Sequence, residues 1–359
     1  MTTSLCSGIT LGVYIPGLFF NKNLNNAGYI TKLEVYEDLL LTEKLVNISM
    51  LKKEYHRSFK FALKAREYSH DNNNENIDNS KVDQLLSKWG IEGRKHFIVW
   101  SGFWIPIIEK YIERSSLNIM VDIINVDVIL MKSFRPFDLN KKNYRVILPF
   151  DWEHQRVNAY VDITDDKIIP YSSRDKRFLI HGGGWGVGTY QKKISLLEEM
   201  GINLDVIMYE ENDYLNVNTA NRYFMLNPLW SAWVKNDNDE NTYPPFGEII
   251  PDNNEIAYST GSYPDVYSIV RNNLAIISKP GGGTLLDSLS SATPIIFLDP
   301  FGDGEEKNSL LFCKLGLGIT IEAWIESGCS IELLEKIHKN ILNLRNSIPN
   351  CIQLYYDKK

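Results

Sequence analysis

Two glycine clusters, each set between an apolar run and an amphipathic one, carry the residue types from which a phosphate site is built. In NLAIISKPGGGTLLDSL, three successive glycines, Gly281, Gly282 and Gly283, let a backbone approach a ligand with no Cβ in the way. If the apolar run is a buried strand that turns into a helix, the helix N-terminus offers unpaired N–H groups and a partial positive charge, which together hold phosphate. Thr284 can cap that helix or donate its hydroxyl to the same phosphate. Asp287, one turn further in, is placed to accept from ribose hydroxyls. Lys279 either adds positive charge at the strand end or snorkels along the surface. A tight turn with a capped helix would use the same residues, so the cluster alone does not decide between them. The other cluster, RFLIHGGGWGVGTY, places Gly182, Gly183 and Gly184 after an apolar run, flanked by His181 and Trp185. It also supplies the opening of a dinucleotide fingerprint, with Glu210 after LDVIMY as the acidic residue. Val187, however, stands where the last glycine of G-x-G-x-x-G is needed.

The elements that must position these residues follow from the pattern around them. A short apolar run, a glycine turn, an amphipathic stretch closing on Gly201 and the next apolar run LDVIMY form one strand–helix–strand unit. The later segment repeats it with PIIFLDPFG and the helical EKNSLLFCKLG, which predicts a parallel α/β sheet. In the first half the candidate strands are ITLGVYIPG, KHFIVWSGF, LNIMVDII and YRVILPF. Helical patterns cover roughly residues 46–69 and the stretch after Trp104. Residues 70–81 and 235–243 are almost wholly polar and read as surface loops. The stretch 163–176, mixing charge, Pro170 and serines, is the best domain boundary.

Length and composition set the outer bounds. The 359 residues exceed the size at which a single core usually stops growing, about 250–300 residues, so two domains are expected. Hydrophobic residues at 44% and charged ones at 23% exclude fibrous and disordered classes. A formal net charge of -7 argues against a nucleic-acid partner. The four cysteines, Cys6, Cys313, Cys329 and Cys351, are scattered without a C-x-x-C and read as reduced packing residues. The apolar N-terminal stretch lacks the leading Lys or Arg of a signal peptide, and no run of 18 apolar residues predicts a membrane span. A soluble, cytoplasmic protein is expected.

The run SKPGGGTLLDSLSSATPIIFLDPFGDGEEKN resembles the nucleotide-sugar site of GT-B glycosyltransferases, in particular the UDP-glycosyltransferases and the bacterial N-acetylglucosaminyl and galactosyl lipid transferases. In that likeness Lys279 stands at a strand-end His or Arg, Gly281 at the pattern's Gly, and Gly283-Thr284 at the phosphate-binding pair. Asp287 replaces a ribose-binding Glu, and Pro294 matches the Pro of the next strand. Glu305, Glu306 and Asn308 match an acidic-Gln pair and an Asn, with Glu306 in place of a Gln that often contacts the sugar. The resemblance implies two Rossmann-like α/β domains facing a central cleft: residues 1–168 binding the acceptor and 169–359 binding the donor, with the last helix crossing back. It implies that Gly182, Gly183, Gly184 and Trp185 face the donor, and that Tyr263 or the main chain of residues 262–265 holds the nucleobase. The likeness is strong over about 30 residues, fair over 176–320 and weak before 165. The first half lacks the usual Gly-rich loop, having only isolated Gly12 and Gly17.

What this implies is a metal-independent transferase without cofactor. It would move a sugar from a nucleoside diphosphate sugar, with a UDP-sugar as the expected donor, to a small acceptor. The GGGT run further resembles proteins grouped with cytosylglucuronic acid synthases, which glycosylate a nucleobase. Direct displacement needs a base near the acceptor. His154 in PFDWEHQRV follows a predicted strand beside Asp151, and these two are the base candidates. His70 in a polar loop and His56 in a Lys/Arg-rich helical segment read as surface residues. Ser101, Phe103 and Trp104 follow a strand and would line the acceptor pocket, although aromatics there also suit a core. Asp71, Asp78, Asp237 and Asp239 read as solvated turn residues rather than metal ligands. A nucleotide-sugar epimerase of the same fold, which needs paired acid/base residues near the sugar, and a non-catalytic nucleotide-binding protein remain as alternatives.

Overall fold

The computed structural model describes residues 2–8, 10–68, 76–164, 166–210, 213, 218–250 and 255–356. The first sheet is parallel throughout, in the order β2-β1-β3-β4-β5: β1 (Thr2–Ser7), β2 (Ile30–Val35), β3 (His96–Val99), β4 (Met120–Ile124) and β5 (Tyr144–Ile147). Helices α1 (Leu11–Asn26), α2 (Thr42–Arg57), α3 (Phe59–Tyr68), α4 (Asn79–Ile91) and α5 (Ile105–Arg114) connect its strands. Strand β3 is buried along its whole length, as a parallel strand covered on both faces must be.

Two readings of this half change. The run ITLGVYIPG is not a strand: the strand lies earlier, at Thr2–Ser7, and Leu11 opens a sixteen-residue helix. Val13, Tyr14 and every residue from Pro16 to Phe20 are buried, so the helix is covered on most of its sides and its sequence shows an unbroken apolar run instead of a helical period. The polar stretch 70–81 ends as helix, because Asp78 accepts from the Ser80 N–H at 2.9 Å and caps α4; residues 69–75 lie outside the described residues.

A hairpin of β6 (Phe150–Asp151) and β7 (Arg156–Val157) precedes the second sheet, which runs β12-β11-β10-β9-β8-β13-β14-β15. Its strands are β8 (Asp175–His181), β9 (Leu204–Met208), β10 (Arg222–Leu226), β11 (Phe246–Ile250), β12 (Glu255–Ile256), β13 (Asn273–Ser278), β14 (Ile295–Phe297) and β15 (Gly318–Thr320). The six from β10 to β15 along the sheet are parallel; β11 and β12 add an antiparallel edge. Helices α6 (Gln191–Glu199), α7 (Asp265–Asn272), α8 (Gly282–Ser291), α9 (Asp303–Lys314), α10 (Ile321–Glu326) and α11 (Ile331–Arg345) surround it.

After α11 the chain returns to the first sheet. Tyr160 N–H donates to the Pro349 carbonyl and Cys351 N–H donates to the Tyr160 carbonyl at 2.7 Å. The short α12 (Gln353–Tyr356) then sets Tyr355 edge-on to Phe20, under the Arg145 guanidinium, and its carbonyl accepts from the Tyr29 hydroxyl. One apolar cluster, with Leu5, Val13 and Ile98 on one side and Ile180, Ile276 and Leu286 on the other, continues through both sheets.

Candidate functional site

In a parallel sheet whose strand order reverses, the crevice opens beyond the carboxyl ends of the strands at the reversal. Here β8 is that strand: the chain leaves it toward β9 on one side and comes back as β13 on the other. His181 and Ser278 are paired neighbours at the carboxyl ends of β8 and β13, so both glycine clusters emerge side by side at the reversal. The first forms a single 3-10 turn, Gly183–Trp185, and the second leads into α8.

Gly281 occupies the N-cap of α8, and the Leu285 N–H donates to its carbonyl at 3.1 Å. The N–H groups of Gly282, Gly283 and Thr284, in the first turn, therefore have no intrahelical acceptor and carry the positive end of the helix dipole. Thr284 sits inside the first turn rather than at the cap, and its side chain lines the cleft. The missing Cβ atoms serve the closure of the two domains. A Cβ on Gly282 would lie 2.7 Å from the Val126 carbonyl oxygen and 2.9 Å from Asp127 Oδ1, and one on Gly283 would lie 3.0 Å from the Gly12 Cα. Helix α1 and the loop after β4 therefore close directly on the start of α8.

Asn308, fully buried on α9, fastens that seam: its Oδ1 accepts from the Val128 N–H at 2.8 Å, and its Nδ2 donates to the Pro280 carbonyl and to Asp127 Oδ1. The cleft that results holds about 440 Å³. Lys279, Asp287, Gly182, Gly183, Gly184, Trp185, Gly281, Gly282, Gly283, Thr284 and Glu305 all line it. Lys279 is ion-paired with Glu305, whose other oxygen accepts the Phe301 N–H at 2.7 Å. Burial pushes the Asp287 carboxyl up to about 7. His181 accepts the Gly183 N–H on Nδ1 at 2.9 Å, and burial together with the Lys279 charge lowers it to about 4. The Tyr209 hydroxyl donates to the Gly183 carbonyl and holds the glycine turn against β9.

Other expected residues lie elsewhere. His154 is 65% exposed on the β6–β7 hairpin, where Nδ1 pairs with Asp151 at 2.8 Å; neither residue lines the cleft, so the structure does not bring this pair to a reacting centre. Ser101, Phe103 and Trp104 do not form an acceptor wall. Trp104 is fully buried and donates to the Ser7 carbonyl, Phe103 packs on Tyr36, and Ser101 is buried. Tyr263 turns to Ser268 and Tyr267, and the cleft is lined instead by Pro264, Val266 and Tyr267. Glu306 is exposed on α9 and outside the cleft lining. His56 is not a surface residue: it is 5% exposed, with Nδ1 donating to the Gly186 carbonyl and Nε2 to the Asp213 carboxylate, both at 2.9 Å. Burial opposes its charge, but the Asp213 and Gly186 hydrogen bonds outweigh it and raise its pKa. His96 is a core residue between Thr3 and Asp122, and His70 lies outside the described residues.

The first domain contributes what the sequence reading missed: Thr10, Leu11, Gly12 and Ile15 of α1 and its lead-in, Tyr55 of α2, and Asp127. The signal for Asp127 was its place just beyond the strand LNIMVDII, where parallel sheets put their ligand groups. Among the described residues, no group of three or more His, Cys, Asp or Glu is placed to hold a metal ion. No described helix is long and apolar enough to cross a membrane.

Solved structures share this arrangement over the whole chain. MurG of Acinetobacter baumannii superposes with a TM-score of 0.53 at 11% identity, covering 99% of each chain. The fold is GT-B. The spinosyn rhamnosyltransferase SpnG, complexed with thymidine diphosphate, gives 0.54 at 11% identity over 99% of each chain. The glycosyltransferase SnogD of Streptomyces nogalater gives 0.51 at 10% identity, covering 100% of this chain and 98% of the other. At these identities the likeness is one of architecture. No family model matches the sequence, and no curated protein matches it at a significant level.

Proposed function

We propose that the protein is a glycosyltransferase that moves a sugar from a nucleoside diphosphate sugar to a small-molecule acceptor. The observation that carries this reading is the convergence, at one sheet reversal in a GT-B cleft, of the free N–H groups at the start of α8, the Lys279 ammonium and the Asp287 carboxylate. The N–H groups and Lys279 suit a diphosphate, and Asp287 suits ribose hydroxyls. UDP-sugars and thymidine diphosphate sugars are the donors to try first, and a nucleobase or another heterocycle of natural-product chemistry is the acceptor class to screen.

In direct displacement the acceptor heteroatom bonds to the anomeric carbon while the bond from that carbon to the diphosphate oxygen breaks. The electron pair goes to the diphosphate, whose growing charge is met by the α8 N-terminus and Lys279. The acceptor proton needs a base on the first-domain side. Asp127 is the first-domain carboxylate in the cleft lining among the described residues, with Oδ1 held by Asn308 beside Gly282. We assign it that role. Calorimetry with UDP and thymidine diphosphate, followed by turnover of their sugars with a panel of heterocyclic acceptors, tests the reading; absence of binding to every nucleoside diphosphate would overturn it. Asp127→Asn should keep nucleotide affinity while turnover falls by roughly 10²–10⁴.

A further inference from the structure

The ring of His181 is fixed in one protonation pattern by its own loop. The Gly183 N–H can only donate, and it lies 2.9 Å from Nδ1, so Nδ1 carries a lone pair and the neutral ring bears its proton on Nε2. Protonating the ring would set N–H against N–H and break the turn that holds the glycine cluster. The ring sits at the end of β8 against the end of β13, and the groups facing it are donors or cations: the Gly183 N–H and the Lys279 ammonium, itself paired with Glu305. Tyr209, from the end of β9, turns its hydroxyl to the Gly183 carbonyl rather than to the ring. His181 lines the cleft, and Nε2 has no hydrogen-bond acceptor among the described residues.

A ring with one nitrogen accepting from its own loop and the other protonated is neither a ready base nor a ready acid. What it can do is donate one hydrogen bond from Nε2. We propose that His181 is a neutral donor to the diphosphate of the bound nucleotide, completing from β8 the ring of donors that Lys279 and the first turn of α8 supply from β13. This rests on the nucleotide reading above and adds a residue that contacts the leaving group from the opposite loop. Being uncharged, the ring would stabilise the charge that develops on the diphosphate oxygen without drawing a proton to it or holding the product by a full ion pair. The burial and Lys279 charge that depress its pKa keep it in that form across the neutral range.

The test combines a tautomer measurement with a ligand series. Nitrogen NMR of ¹⁵N-histidine-labelled protein should show His181 with Nδ1 unprotonated and Nε2 protonated from pH 5.5 to 8.5, read without any ligand. In calorimetry with UDP and with uridine, or the thymidine pair if that base binds, His181→Ala should weaken the diphosphate about tenfold and leave the nucleoside unchanged. His181→Gln, which keeps a side-chain N–H donor, should recover part of the loss. An equal loss for UDP and uridine would assign His181 to the fold of the loop and overturn the proposal, as would an Nδ1–H tautomer or a ring that titrates near neutrality. If the wild-type protein bound neither diphosphate, the nucleotide reading itself would fall and this inference with it. Wild-type binding that His181→Ala left intact would sink only the role of His181.

Discussion

Asp287→Asn separates a working ribose acceptor from a carboxylate that is merely buried. Burial in the cleft pushes the carboxyl up to about 7 from an ordinary value near 3.8. If ribose hydroxyls donate to it, the ionised form is the one that binds, and affinity must rise with pH. The competent fraction is one in about 11 at pH 6 and nearly complete at pH 8, so the wild-type dissociation constant should fall about tenfold between them, or about 1.4 kcal/mol. Nucleotides titrate their own terminal phosphate near pH 6, so the quantity to read is the wild-type slope minus that of Asp287→Asn, in which the phosphate contribution is shared. The variant should bind about tenfold more weakly at pH 8, having exchanged a charge-assisted acceptor for a neutral one. Calorimetry at several pH values, repeated in two buffers of different ionisation enthalpy, reads both the slope and the proton released. Identical slopes in the two proteins would refute the reasoning. Stability gives a second readout. The folded protein holds a proton that the unfolded chain releases above about 4, so Asp287 costs stability as pH rises toward 7. Asp287→Asn should therefore raise the melting temperature more at pH 8 than at pH 5.

Three further outcomes follow from the seam between the domains and the surface around it. Gly282→Ala puts a Cβ 2.7 Å from the Val126 carbonyl oxygen, and should cost about 1–3 kcal/mol in urea denaturation, or spread the seam and weaken UDP binding. His56→Ala removes a buried link from α2 to the Gly186 carbonyl and Asp213, at about 3 kcal/mol. Because the folded His56 has a raised pKa, its contribution is complete below the ordinary value near 6.5 and is lost as pH rises through the folded one, so the gap between wild type and variant in chemical denaturation should narrow in alkali. His154→Ala, on an exposed hairpin away from the cleft, should leave turnover and nucleotide affinity unchanged and shift stability by less than about 0.5 kcal/mol.

The glycine clusters of the second sheet were legible as strand-to-helix turns because their determinants are local. A fully buried parallel strand such as Asn273–Ser278 writes itself as an unbroken apolar run, and the glycines that follow it mark the turn into α8 within a few residues. The same brevity misled in α1: over ITLGVYIPG a buried helix and a buried strand have the same composition. His56 and Asp127 were missed for another reason. What places His56 is the contact of α2 with a turn 130 residues away, which leaves no mark in its own neighbourhood; Asp127 had only its place just beyond a strand, and the Asn308 contact that fixes it comes from α9. Trp104 shows the converse: an aromatic after a strand, equally suited to core and pocket on paper, goes to the core because its indole finds the Ser7 carbonyl.

The packing of Tyr355 on Phe20 bears on the order in which the protein can be made. The first sheet begins with Thr2, yet one of its covering side chains lies some 180 residues downstream of the start of the second sheet at Asp175. On the ribosome, residues 175–345 emerge with all their strands and can complete their sheet as a unit. The first-made half must meanwhile keep the Phe20 surface uncovered until α12 arrives to close it. Helix α12 therefore acts as the closing step of the domain synthesised first. Removing residues 350–356 should show itself as aggregation of nascent chains through that uncovered face, even though every residue lining the cleft is retained.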